Sequence, residues 1–198
     1  MASTITGPRP EPAKETVGGL KAVYIINFED ANLDIQESSS DSGLTIKRIG
    51  QVGSVATDVT AYKFDLKGNS SYVENVQSSR ENGTLVFEQV LELTLKRLTK
   101  ESHKEIKALS FGRPHIIIED YNGNLLFAGR EHGMEVTGGT IVTGTAMTDL
   151  SGYTLTFTGM ERKPAQFLEK TSETEAIATT LTNQNVSVDS TDADTDLD

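Results

Sequence analysis

Residues Gly83 to Leu98 read GTLVFEQVLELTLKRL. Leu85, Phe87, Leu91, Leu93 and Leu95 share one parity, interrupted only by Gln89. Thr84, Val86, Glu88, Val90, Glu92, Thr94 and Lys96 share the other. A period of two marks a strand with one buried face, whereas a helix would scatter the odd set around its whole circumference. At about 3.3 Å per residue the run reaches roughly 50 Å, and an ordinary strand holds only about six residues. Such a strand overhangs a small domain. Either a bend or bulge breaks it, or its far part pairs with another subunit.

The surrounding chain reads in the same way. Glu81-Asn82-Gly83 leads into the long strand, and Asn-Gly between two extended runs is a strong hairpin signal. This makes Ser71 to Gln77 the expected partner, reached from a turn near Gly68-Asn69. Further upstream, Val59 to Leu66 alternates, Leu44 to Ile49 is a short strand, and Leu20 to Phe28 is rich in β-branched and aromatic residues. Between the last two, Glu29 to Gly43 is Ser- and Asp-rich and reads as a loop.

Downstream, Thr99 to Ser110 is the one convincing helix. Thr99 caps it, Glu101 favours the positive end of its dipole, and Gly112 and Pro114 stop it. At about ten residues it is too short to persist alone, so it lies against a sheet. A second hairpin follows, with His115 to Glu119 and Leu125 to Gly129 flanking an Asn122-Gly123 turn. Three consecutive isoleucines, Ile116 to Ile118, predict burial on both faces. Met134 to Thr137, Gly139 to Thr143 and Tyr153 to Thr158 continue the sheet. Their connectors, Gly138-Gly139, Gly144 and Ser151-Gly152, are expected to adopt positive φ.

The pattern is that of a mostly β protein, a β-sandwich or β-barrel with one short flanking helix. Its 198 residues suffice for one domain with a proper core. The expected organisation is a flexible N-terminal arm over 1–18, a β-rich domain over 19–168, and an acidic disordered tail over 169–198. Removing 171–198 is accordingly expected to leave stability unchanged.

Composition excludes several chemistries. No apolar run approaches eighteen residues, so no transmembrane helix or membrane partner is expected, and the N-terminal stretch has no apolar signal segment. The absence of cysteine removes disulfides, thiolate metal sites and cysteine nucleophiles. Net charge is −11, of which residues 169–198 supply −7 from eight acidic residues and one Lys, leaving about −4 for the body. Without a basic stripe, tight binding to nucleic-acid phosphate is not expected.

His103, His115 and His132 show no metal-ligand spacing and read as surface histidines. Asp192, Asp194, Asp196 and Asp198 alternate as in a calcium loop but lack its glycine and distal glutamate. Gly138 to Gly144 is no phosphate loop, because no Lys-Ser/Thr follows, and neither Ser110 nor Ser151 lies in a nucleophile elbow. No catalytic residue, cofactor or metal site is assigned. Asp65 and Asp120 are carboxylates whose pairing sequence alone leaves open.

The order of long hairpin, short helix, second hairpin and Gly/Thr-rich strand pair resembles the tail-tube fold of tailed bacteriophages. The segment Gly112 to Ala165 is similar to stretches of small phage virion proteins, notably EHGMEVTGGT at 131–140 and SGYTLTFTGMERKPA at 151–165. The resemblance spans roughly residues 19 to 168. It implies a non-enzymatic virion subunit that joins its copies through β-hairpins into a homo-oligomeric ring, hexameric in a tube, located in the virion tail. Its partners would be itself and other tail or neck proteins, with DNA passing through unbound. The acidic tail departs from many tube subunits and leaves a neck-ring or tail-terminator role open.

On this reading Leu85, Phe87, Val90 and Leu91 are candidates for the inter-subunit strand. Glu88 and Glu92 are candidates for the channel lining, the alternative being an outer, solvated sheet face. Two other classes stand beside it: a monomeric β-sandwich binding module for carbohydrate or protein, and an enzyme of an unrecognised kind. A module predicts aromatics exposed in a cleft, and this chain has no Trp.

Overall fold

Ile116, Ile117 and Ile118 are all completely buried, and they mark the middle of the architecture. The computed structural model describes residues 14–28, 30, 33–39, 44–50, 58–170 and 176–190. In chain order the elements are β1 (Leu20–Ile26), β2 (Leu33–Glu37), β3 (Thr45–Gly50), β4 (Val59–Asp65), β5 (Ser71–Ser79), β6 (Thr84–Lys96), α1 (Lys100–Phe111), β7 (His115–Asp120), β8 (Leu125–Ala128), β9 (Glu135–Val142), β10 (Gly152–Glu161), β11 (Gln166–Leu168), α2 (Ile177–Asn183) and β12 (Val186–Asp189). The protein is mostly β, with two sheets and two helices.

An eight-stranded sheet runs β12-β4-β1-β7-β8-β11-β3-β2, and a four-stranded sheet runs β5-β6-β10-β9. One core lies between them. Val23, Ile116 and Ile118 of the large sheet meet Leu91, Leu93, Leu155 and Phe157 of the small one, and Ile106 of α1 closes its side. A second core occupies the opposite face of the large sheet, with Tyr24, Ile26, Ile46, Ile117, Phe127, Leu181 and Val186. β1 and β7 therefore have apolar neighbours on both faces, which is why their sequences show no alternation. The large sheet curls around this second core. The N–H groups of Ile49 and Gly50, at the end of β3, donate to the Gln184 carbonyl beside β12, at 3.1 and 3.0 Å.

β6 is unbroken over 13 residues. Leu91 and Leu93 are buried on its core face, and Glu92 is exposed on the other. α1 begins where expected: the Thr99 hydroxyl accepts from the Ser102 N–H at 3.1 Å. Ile106 anchors it to the sheets, with Leu98 and Leu109 beside it.

Four expectations need correction. Within the loop expected over 29–43, Leu33–Glu37 forms β2, which pairs with β3 and rests Leu33 and Ile35 on the second core. The segments expected at 134–137 and 139–143 are one strand, β9, because Gly138 and Gly139 are extended rather than in a positive-φ turn. Gly139 is there for closeness: a Cβ would lie 2.5 Å from the Thr154 carbonyl oxygen. Gly152 likewise has no positive φ, and a Cβ on it would overlap the Leu95 carbonyl; of the expected positions only Gly144 has positive φ, at 77°.

The last correction concerns the C-terminal region. Residues 176–190 are not a disordered tail. α2 buries Thr180 and Leu181, and β12 pairs in parallel with β4 through Val186↔Val59 and Val188↔Ala61. The rest of the expected tail, 171–175 and 191–198, lies outside the described residues. So does most of the expected N-terminal arm, 1–13; Val17 in its described part exchanges two hydrogen bonds with the Asn122 side chain.

Candidate functional site

The four-stranded sheet offers a polar face and two open edges. Its registers place Glu88 opposite Asn75 and Met160, Val90 opposite Val73 and Thr158, Glu92 opposite Ser71 and Thr156, and Thr94 opposite Thr154. All of these share the parity turned away from the core. Threonines dominate the β9–β10 half, where Thr137 and Thr158 hydroxyls lie 2.9 Å apart and those of Thr140 and Thr154 2.6 Å apart. Glu88 accepts from Gln77 Nε2 at 2.9 Å and from Asn75 Nδ2 at 3.4 Å. Glu88 and Glu92 therefore lie on one solvent-facing surface, in line along β6.

The candidate inter-subunit residues divide. β6 is flanked by β5 and β10, so both edges of its backbone are already paired over most of its length. This corrects the expectation that β6 itself could add to a neighbouring sheet. Leu91 lies in the chain's own core, Val90 and Phe87 are half-buried, and Leu85 is 51 % exposed. Pairing with β10 ends at Phe87, so Thr84 to Val86 extend past it with only β5 alongside. Leu85 on that overhang and Val76 beside its base, opposite Phe87, are both exposed.

The open edges are β5 and β9. Neighbours in this sheet are antiparallel throughout, and the strand count is even, so β5 and β9 run in opposite directions. Exposed apolar residues stand on both, Val73 and Val76 on β5 and Ile141 on β9.

Titratable groups elsewhere serve the fold. Glu119 is buried and binds Lys21 Nζ at 2.6 Å and the Tyr24 hydroxyl at 2.7 Å. Burial first, and then that carboxylate, push the Tyr24 phenol far above its ordinary value. Glu37 receives Lys163 and Arg130, whose hydrogen bonds hold its carboxyl down at about 2. Asp65 pairs with Lys63 at 2.9 Å, and Asp120 accepts from the Asn124 backbone at 2.7 Å, each carboxylate taken up by a near neighbour in sequence.

His115 is not a surface histidine. It is buried, stacked between Phe28 and Phe127 with centroids 5.0 and 5.7 Å away, and its Nδ1 lies 2.6 Å from the Gly129 carbonyl oxygen. Burial lowers its pKa and favours the neutral imidazole. Gln89, the one polar residue on the core parity of β6, is buried too: its Oε1 accepts from the Gly129 N–H at 2.8 Å and its Nε2 donates to Glu74. The break in alternation was a readable sign of a buried polar anchor.

No family model matches this sequence, and no curated protein or solved structure matches it. Among the described residues, no helix is long and apolar enough to cross a membrane.

Proposed function

We propose that the protein is a non-enzymatic structural subunit of a phage virion that assembles head-to-tail into a ring or tube, a conduit for DNA. The observation that carries this reading is the pair of open, oppositely directed edges on the four-stranded sheet. Rotation about an axis roughly along the strands keeps every β5 pointing one way and every β9 the other. An antiparallel β9–β5 junction then repeats at each interface. Such a heterologous contact closes into a ring when the rotation divides a full turn, and closure removes both free edges of this sheet.

Six copies would supply about twenty-four strands. At about 4.8 Å per strand, that gives a circumference of roughly 115 Å and a backbone diameter of about 37 Å before tilt. Side chains on the inner face take about 5 Å from each wall, leaving a bore of roughly 27 Å. The apolar face of the sheet is already covered by the large sheet, so the Thr-rich face with Glu88 and Glu92 turns inward. The resemblance of residues 19 to 168 to tail-tube subunits points the same way. Carboxylates repeated once per subunit repel phosphate within a Debye length of about 8 Å at physiological salt, so DNA passes without being held.

The test is to image the purified protein by negative stain and measure duplex DNA retention by the assemblies. Rings or tubes are expected, with no DNA retained. The double substitution Glu88→Lys and Glu92→Lys is expected to leave assembly intact and to create a salt-sensitive DNA affinity seen only in assemblies. A protein that stays monomeric at high concentration contradicts the subunit reading. Assemblies of the double variant that gain no affinity contradict the inward placement of this face.

A further inference from the structure

The tight loop between β8 and β9 carries Glu131 and His132, and the last residue of β10 is Glu161. These three side chains can each present one ligand atom, and the three atoms lie within 4.8 Å of one another. We propose that Glu131, His132 and Glu161 bind a borderline first-row divalent cation of the Zn²⁺ type. This inference does not depend on the ring reading.

The spacing suits such an ion. His132 Nδ1 and Glu161 Oε2 are 3.5 Å apart. Two ligands held about 2.1 Å from a tetrahedral Zn²⁺ are separated by about 3.4 Å. Glu131 is exposed, and a ligand atom of its carboxylate lies within 4.8 Å of those of the other two. The open side admits the ion and water for the remaining position.

Glu161 is also held in the way ligating carboxylates are held. It is 3 % exposed, and its Oε1 accepts from the backbone N–H groups of both Glu131 and His132 at 2.9 Å. These bonds fix the carboxylate plane and leave Oε2 turned to the imidazole, the outer-shell support that orients metal ligands. The loop itself is tightly closed, the Gly133 N–H donating to the Gly129 carbonyl at 3.1 Å. Gly129 and Gly133 both have positive φ, and a Cβ on Gly129 would lie 2.7 Å from the Gly133 carbonyl carbon.

Charge points in the same direction. A carboxylate removed from water needs a compensating charge. Arg130 and Lys163, two of the cations near the site in sequence, are both engaged by Glu37. The side-chain ion-pair partner of Glu161 across the site is the exposed His132. A divalent ion between two carboxylates and an imidazole would balance the charge. Imidazole selects Zn²⁺ and its neighbours over Mg²⁺, which prefers all-oxygen shells and keeps its waters. Expectation from sequence missed this because Glu131 and His132 are adjacent and the third ligand comes from a distant strand.

The test is calorimetric titration of the full chain, freed of metal with a chelator, with Zn²⁺ alone at neutral pH. One ion per chain is expected, with a thermal midpoint that rises with Zn²⁺ concentration. His132→Ala should weaken binding at least about tenfold and abolish the midpoint rise. Its metal-free midpoint should match the native chain, since His132 is exposed. His103→Ala should change neither, and excess Mg²⁺ should not compete. Absence of stoichiometric binding would overturn the proposal. So would equal affinity in His132→Ala, which would assign the metal to other carboxylates.

Discussion

Leu93 and Thr94 are neighbours in β6 that meet opposite environments, one sealed between two sheets and the other on the polar face. Leu93→Asp would place a carboxylate among Leu155, Ile118 and Ile106 with no partner, and such a burial is too costly for a marginally stable domain. We expect it to abolish soluble folding. Thr94→Asp loses the hydroxyl's bond to the Asn69 carbonyl, worth about 1 kcal/mol, and the domain should still melt cooperatively. Soluble expression and thermal melts of the two variants check this, and equal behaviour would mean that the strand's faces are misassigned. This contrast was legible in sequence, because alternation is a local signal that one buried face imposes directly. The burial of His115 was not legible. Its stacking partners, Phe28 and Phe127, come from different parts of the chain, and its place at the head of a strand does not by itself say which way the ring turns.

At the level of elements, legibility followed the strength of local chemistry. β5–β6 and β7–β8 announce themselves through Asn-Gly turns, and α1 through its threonine cap and glycine stop. α2 and β12 do not. Ile177–Asn183 holds three threonines, poor helix formers, and β12 has only four residues. Their order comes from contacts made far away in sequence: Leu181 and Val186 fill the second core, and β12 covers the edge of β4. The expectation that this region could be removed is therefore replaced by its opposite. Leu181→Ala should cost about 2–5 kcal/mol. Truncation after Lys170 should lower the melting midpoint by about 10 °C or more. Calorimetric melts of both variants decide the matter, and a truncated chain that melts like the full one would show that α2 and β12 add nothing to stability. The candidate surface was half legible: the facing of Glu88 and Glu92 followed from parity, but which strands end the sheet depends on pairing order, which no local pattern encodes.

For the whole molecule, the two open edges are the feature with the greatest reach. Val76 on β5 is 64 % exposed and Ile141 on β9 is 54 % exposed, so neither contributes much to the fold of the single chain. A lysine on a sheet edge blocks further pairing. Val76→Lys and Ile141→Lys should each leave the melting midpoint within a few degrees while preventing assembly, as read by sedimentation velocity. If both variants assemble as the native chain does, head-to-tail edge pairing is wrong. The eight-stranded sheet also carries a consequence for biosynthesis. Its β12 is the last strand among the described residues, yet it sits beside β4, whose partner β1 comes first. On the ribosome, all four strands of the smaller sheet, residues 71–161, emerge before β12 does. Sticky edges are then presented by a nascent chain whose larger sheet is still incomplete, and neighbouring polysomes offer copies of the same edges. Slow, long-range pairing of this kind exposes chains to aggregation, so translation speed between the codons for β11 and those for β12 should govern the yield of native protein.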